Sequence, residues 1–154
     1  MSIEDLYSEI VLEHYKEPHN VGEIQSPEIF AKGFNESCGD DIKIFARVKD
    51  NKIEDIKFLG KGCAISQSSA SMMTDLLKGK SINEVKEFIK AFNKKITGEE
   101  NFPEDSDEWF ELSALKGVIK FPIRVKCASL AWHTLAQGIR DYENKLIRRN
   151  NEQL

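Results

Sequence analysis

Cysteine is scarce in this chain. Its 154 residues hold only three, an odd number that makes a disulfide framework unexpected. No apolar run approaches the ~20 residues that cross a bilayer, so no membrane association is expected. Positive charge is not in excess either. Lys and Arg number 22 against 26 Asp and Glu, a net charge of −4, whereas a nucleic-acid binder normally shows a basic face. The opening Met-Ser-Ile-Glu-Asp lacks the basic region and apolar core of a secretion signal, and a cytoplasmic location is expected. Proline occurs four times, no Gly/Ser-rich linker divides the chain and no segment repeats. One domain spanning 1–154 is expected, long enough to bury about two-thirds of its unfolded surface without a staple.

Local patterns point to an α+β fold. Ser2, with Asp5 three residues on, suits the cap of a first helix. Ile3, Leu6, Tyr7, Ile10, Val11 and His14 share a face of it, and Pro18 ends it. Strand-like segments follow at Glu28 to Asn35, Ile42 to Val48 and Ile53 to Leu59. Asp50-Asn51 suits a two-residue hairpin turn, because both residue types tolerate positive φ. The rest reads as helix. One runs over 63–78 up to Gly79. Ser81 and Glu84 make a capping box ahead of Val85, Phe88, Ile89 and Phe92, with a stop at Gly98. Ser106 caps a short helix stopped by Gly117. A last helix starts near Val125, with Pro122 holding it off until then. The pattern predicts a small three-stranded antiparallel sheet with helices packed on one face. Seven acids between Glu99 and Glu111 read as a solvated loop and helix start.

The surroundings of the three cysteines carry the chemistry. Cys38-Gly39-Asp40 falls in a loop between strands, where Gly39 allows a sharp turn that aims a thiol and a carboxylate at one point. Gly60-Lys-Gly-Cys63 joins a strand to a helix, and the helix N-terminus favours a thiolate. Cys127 is expected in the first turn of the last helix, after Arg124 and Lys126. Three thiolates and Asp40 exceed the charge of one divalent ion, and Arg124 and Lys126 can offset the excess. Cys3Asp fills a tetrahedral zinc site, and three cysteines with one further ligand also suit an iron–sulfur cluster. The thiolates alone do not choose between the two. His14 reads as a hydrogen-bonded core residue, and His133 lies too far around its helix to reach the same metal as Cys127.

These motifs together resemble the IscU/NifU-N family of iron–sulfur assembly proteins over most of the chain. Glu13-His14-Tyr15-Lys16-Glu17-Pro18-His19-Asn20 is similar to the family's Asp-His-Tyr-x-x-Pro-Arg-Asn. Cys38-Gly39-Asp40, Gly-x-Gly-Cys63 with its Ser/Ala/Met-rich helix, and Lys126-Cys127-Ala128 follow in the family's order. Lys126 stands where IscU-type proteins place His, and the Cys63-to-Cys127 interval is longer than theirs, which points to the SufU-type branch. The resemblance implies a SufE/NifU-like fold and a zinc-dependent sulfurtransferase. It implies zinc on Cys38, Asp40, Cys63 and Cys127, with Cys38 as the acceptor of persulfide sulfur from a pyridoxal-phosphate cysteine desulfurase. Downstream iron–sulfur assembly proteins are the implied recipients. Lys126 and Arg124 are expected to steady the sulfur anion. The alternative is a scaffold that transiently assembles a [2Fe–2S] cluster on the three cysteines.

Overall fold

The backbone follows the alternation of apolar residues closely. A computed structural model describes residues 3–103 and 105–152. In chain order these form α1 (Ile3–Lys16), β1 (Ile29–Asn35), β2 (Asp40–Lys49), β3 (Lys52–Lys61), α2 (Ala64–Leu77), α3 (Ile82–Ile96), a 3-10 helix (Leu112–Val118) and α4 (Pro122–Glu152). The cap expected at Ser2 lies outside the described residues. α1 ends at Lys16, two residues ahead of Pro18, because proline disfavours helical geometry in the residue before it.

The strands make one antiparallel meander in the order β1-β2-β3. The β2–β3 turn is built on Asp50 and Asn51, with φ of 53° and 61°, the doubly left-handed turn that matches the twist of a hairpin. Strand alternation splits the sheet into two faces. Ile29, Ala31, Ile42, Ile44, Ala46, Ile56 and Phe58 are buried on one of them. Phe30, Lys32 and Phe34 of β1 are exposed on the other.

The helices cover the buried face. α4 lies across β1 and β2, while α2 is wedged between α1, α4 and β3. α2 is rich in serine yet buried: Ser66, Ser68, Ser69, Ser71 and Thr74 are all inaccessible. Small side chains let neighbouring elements approach closely, and each hydroxyl finds an acceptor. Ser69 donates to Ala128 O at 2.6 Å and accepts from Trp132 Nε1 at 3.1 Å. Among the described residues no buried side-chain nitrogen or oxygen lacks a partner. Trp132 stacks on Phe92 with centroids 4.2 Å apart and planes 9° from parallel, which ties α3 to α4. Met72 and Met73 are core residues. α3 opens on the expected capping box, with Ser81 Oγ accepting from Glu84 N and Glu84 Oε1 from Ser81 N. No described helix is long and apolar enough to cross a membrane.

Two segments differ from expectation. Ser106 caps only a turn, accepting from Trp109 N at 3.4 Å, and the helix after it is a 3-10 helix starting at Leu112 and running through Gly117. The acids of this stretch are partly paired: Glu100 with Lys94 and Lys95, Glu108 with Lys80 and Glu111 with His14. The second difference is α4. Pro122 opens the helix, because its fixed φ and missing N–H suit the first helical position.

The seat of α4 on β1 depends on Gly33. A methyl group there would lie 2.0 Å from Thr134 Oγ1 and 3.1 Å from Leu130 Cδ1. Thr134 Oγ1 is itself tied to Leu130 O at 2.7 Å. Gly33→Ala is expected to cost about 1–3 kcal/mol through overpacking, read as a lower urea midpoint. Thr134→Ala in the same chain should recover part of the loss. A Gly33→Ala chain as stable as the parent would contradict this packing.

Candidate metal centre

Two chain connections and one helix converge at the end of the sheet. Cys38 sits in the turn at 36–39 between β1 and β2. Gly39 holds φ +69° with open space where a Cβ would project, so its role is conformational. Asp40 opens β2 opposite Asn35. Gly62 has φ +153°, and a Cβ on it would fall 2.3 Å from Asp40 Oδ1. That glycine permits close approach of the β3–α2 connection to the carboxylate. Cys63 follows as the N-cap of α2 in extended conformation.

Cys127 departs from the expected placement. With Pro122 as the first residue of α4, Cys127 falls in the second turn rather than the first. It is 1% exposed, beside the core residues Ala128 and Ala131. The three sulfurs therefore form a gradient, with Cys38 exposed, Cys63 half-buried and Cys127 buried. Cys127 Sγ is 3.0 Å from Cys38 Sγ. One ligand atom each of Cys38, Asp40 and Cys127 lies within 4.8 Å of the others. Cys63 is not in that tightest group, but its side chain contacts Cys127. All three cysteines line one cavity of about 480 Å³ with Phe121, Pro122, Ile123 and Arg124. A larger cavity of about 650 Å³ lies between residues 98–103 and 113–120 and contains no cysteine.

Asp40 organises the group. It is wholly buried. Its Oδ1 accepts from Cys63 N at 2.9 Å and from Ser66 Oγ at 3.1 Å, and its Oδ2 from Asn35 Nδ2 at 3.2 Å. Burial pushes this carboxyl up. The hydrogen bonds from Cys63 N–H, Cys127, Asn35 and Ser66 outweigh that and leave it below the ordinary carboxylate range. Asp40 is thus an anion at neutral pH. Burial pushes the Cys127 thiol far up, and hydrogen bonds to Cys38 and Asp40 and the nearby Cys63 push the same way. Three sulfurs on one cavity, with a carboxylate oxygen within 4.8 Å of two of them, suit a borderline-soft divalent cation, which would also relieve this crowding of negative charge.

The structure separates the two cations. Arg124 is exposed and lines the cavity, whereas Lys126 is exposed and outside the lining. His133 is hydrogen-bonded to Asn93 at 3.4 Å, away from the sulfurs. Asn35 and Ser66 were not among the residues expected in the site. Asn35 also donates to Cys127 Sγ at 3.5 Å. Its position three residues before Cys38 is the only sequence signal for it, and Ser66 has none beyond its place one turn after Cys63.

Exposure and thiol acidity together predict an order of reaction. In chelator-treated protein at neutral pH, iodoacetamide should modify Cys38 first, Cys63 more slowly and Cys127 last, because a raised pKa keeps Cys127 as the unreactive thiol. Peptide mass spectrometry over time reads the order. Equal rates at Cys127 and Cys38 would contradict the gradient.

The sequence and the fold have counterparts among known proteins. The family model of the NifU-like N-terminal domain matches residues 6–149. The chain is 39% identical over 138 residues to the zinc-dependent sulfurtransferase SufU of Bacillus subtilis, covering 90% of this chain and 92% of that one. It is 40% identical over 139 residues to the iron–sulfur cluster assembly scaffold protein IscU of Streptococcus pyogenes, covering 90% and 86%. The crystal structure of a NifU-like protein (N-terminal) from Brucella abortus superposes with a TM-score of 0.81 over 93% of this chain and 98% of that one. At 22% identity that likeness shows the fold. Sheet, helices and matched residues agree, and the chain belongs to the NifU-like N-terminal domain family, the family of IscU and SufU.

Proposed function

We propose that this chain, acting as one domain in the cytoplasm, is a zinc-dependent sulfurtransferase of iron–sulfur cluster biogenesis. It accepts persulfide sulfur on Cys38 from a pyridoxal-phosphate cysteine desulfurase and passes it to downstream assembly proteins. The observation that supports this best is the gradient around Asp40: one exposed sulfur beside two anchored ones. The relative named a zinc-dependent sulfurtransferase agrees with it.

Cys38, Asp40, Cys63 and Cys127 are the proposed zinc ligands. Zinc supplies the positive charge that holds these sulfurs deprotonated and offsets the buried carboxylate. The residues divide the remaining work. Asp40, held by Cys63 N–H, Ser66 and Asn35, stays fixed. Cys63 and Cys127 are fastened to helices. Cys38, on its glycine-bearing turn, is the sulfur able to swing outward. Its thiolate attacks the outer sulfur of the donor persulfide. The S–S bond of the donor breaks, the donor cysteine leaves as a thiolate, and Cys38 carries the new persulfide. The transfer consumes no oxidant or reductant. Arg124, on the cavity wall, steadies the resulting anion, and Lys126 adds positive potential from outside the lining.

A second reading, a scaffold holding a transient [2Fe–2S] cluster as cargo, is favoured by the Streptococcus relative named as such. Lys126, a poor iron ligand while charged, weighs against it. Metal analysis of protein purified without added iron separates the two. About one zinc per chain is expected for the Cys3Asp set, whereas iron with acid-labile sulfide would favour the scaffold. Incubation with desulfurase and cysteine should add the mass of one sulfur atom to Cys38. Cys38→Ala should abolish the transfer and keep the fold, and Arg124→Ala should slow it. Label only on Cys63 or Cys127, or none, would reject Cys38 as acceptor.

A further inference from the structure

A second set of ligand-type side chains gathers near the other end of α2. His14 is in the last turn of α1, His19 in the loop that follows, and Asp75 in the last turn of α2. One ligand atom from each lies within 4.8 Å of the other two, and the imidazole centroids are 4.6 Å apart. Twelve residues of helix separate Asp75 from the N-cap Cys63, a rise of roughly 18 Å at ~1.5 Å per residue. The two groups are therefore distinct. Their chemistry differs too: two imidazoles and a carboxylate, with no sulfur.

We propose that His14, His19 and Asp75 form a second binding site for a divalent first-row transition metal. The donor set is the two-histidine, one-carboxylate combination that such ions accept with open positions left for water. The outer partners of a metal site are in place as well. Ligating histidines usually donate their second N–H to a carboxylate, and ligating carboxylates are themselves hydrogen-bonded. His14 Nε2 is 3.0 Å from Glu111 Oε2, and Asn20 Nδ2 donates to Asp75 Oδ1 at 3.0 Å. With Nε2–H given to Glu111, His14 keeps its lone pair on Nδ1. That atom accepts from Ser71 Oγ at 2.7 Å, and Ser71 Oγ in turn accepts from His19 N at 2.8 Å. Ser71 Oγ therefore holds the place on Nδ1 that an ion would take, and binding displaces that hydroxyl.

Burial divides the set into an anchor and a gate. His14 is 3% exposed, while the side chains of His19 and Asp75 are 51% and 39% exposed. His19 Nδ1 lies 2.5 Å from Asp75 Oδ2. An ion bonded to both at ~2.0–2.2 Å needs them farther apart, and the exposed His19 ring has the freedom to move outward.

This inference stands apart from the sulfur-transfer reading, and cobalt(II) tests it. Metal-stripped full chain is titrated with Co²⁺ without oxygen, following absorbance and the histidine Cε1–H NMR signals. Binding of a Co²⁺ that adds no sulfur-to-cobalt charge-transfer band is expected, and it should broaden His14 and His19 but leave His133 sharp. His19→Arg, which installs the residue of the family motif, and Asp75→Asn should each remove this equivalent while preserving the circular dichroism spectrum and the sulfur-bound equivalent. Glu111→Gln should weaken it roughly 10- to 100-fold, the usual effect of losing an outer partner. Unbroadened His14 and His19 in the parent chain, or a sulfur-free equivalent that survives both His19→Arg and Asp75→Asn, would overturn the proposal.

Discussion

Burying a carboxylate is unfavourable unless its lone pairs are filled, and Asp40 fills them with three donors from two elements, α2 and β1. The N-cap N–H of α2, the hydroxyl of Ser66 one turn on and the amide of Asn35 at the end of β1 all point at it. Removing any one of these partners would leave part of the buried charge uncompensated. The carboxylate thereby dictates how closely the β3–α2 connection approaches β2, and why only glycine stands at position 62. The sulfurs inherit their positions from this arrangement. Cys38 and Cys63 flank Asp40 in the chain or through its hydrogen bond, and Cys127 is brought over it by α4.

α2 is the element through which the rest is connected. A helix buried on several sides is usually apolar, yet this one carries a row of hydroxyls. Each hydroxyl finds a partner, so the row costs little, and its small volume admits α1 and α4 at close range. The same helix presents Cys63 at one end and Asp75 at the other. α4 plays a comparable double part, since Cys127 and the stacked Trp132 are five residues apart on it. The cysteine cavity is therefore walled by elements that also make the core, and only the turn bearing Cys38 lies outside that packing.

Much of this was legible in the residues themselves. Alternation marked the second and third strands, Asp50-Asn51 marked the hairpin, and Ser81 with Glu84 marked the start of α3. Family likeness, read from the cysteine motifs, agrees with the matched family. What escaped has physical reasons. Proline restricts φ in a way that both ends helices and opens them, so Pro122 alone did not say which, and Cys127 was placed one turn too early. The segment at 106–118 carries acids and apolar residues at spacings that fit either a 3-10 or an α-helix. Asn35 and Ser66 act through contacts that no periodicity encodes. Glu111 meets His14 across 97 residues of chain, so its acid looked merely solvated.

β1 is the strand at one edge of the sheet. That strand has no strand neighbour on its outer side among the described residues, and it shows Phe30 and Phe34 to solvent. Unpaired backbone beside aromatic rings is a template for edge-to-edge association. Lys32 stands between the two phenylalanines on the same face, where a stacked copy would set like charges against each other. Lys43 of β2, its exposed cross-strand partner, adds a second ammonium to this face, and such charges guard a surface otherwise suited to aggregation.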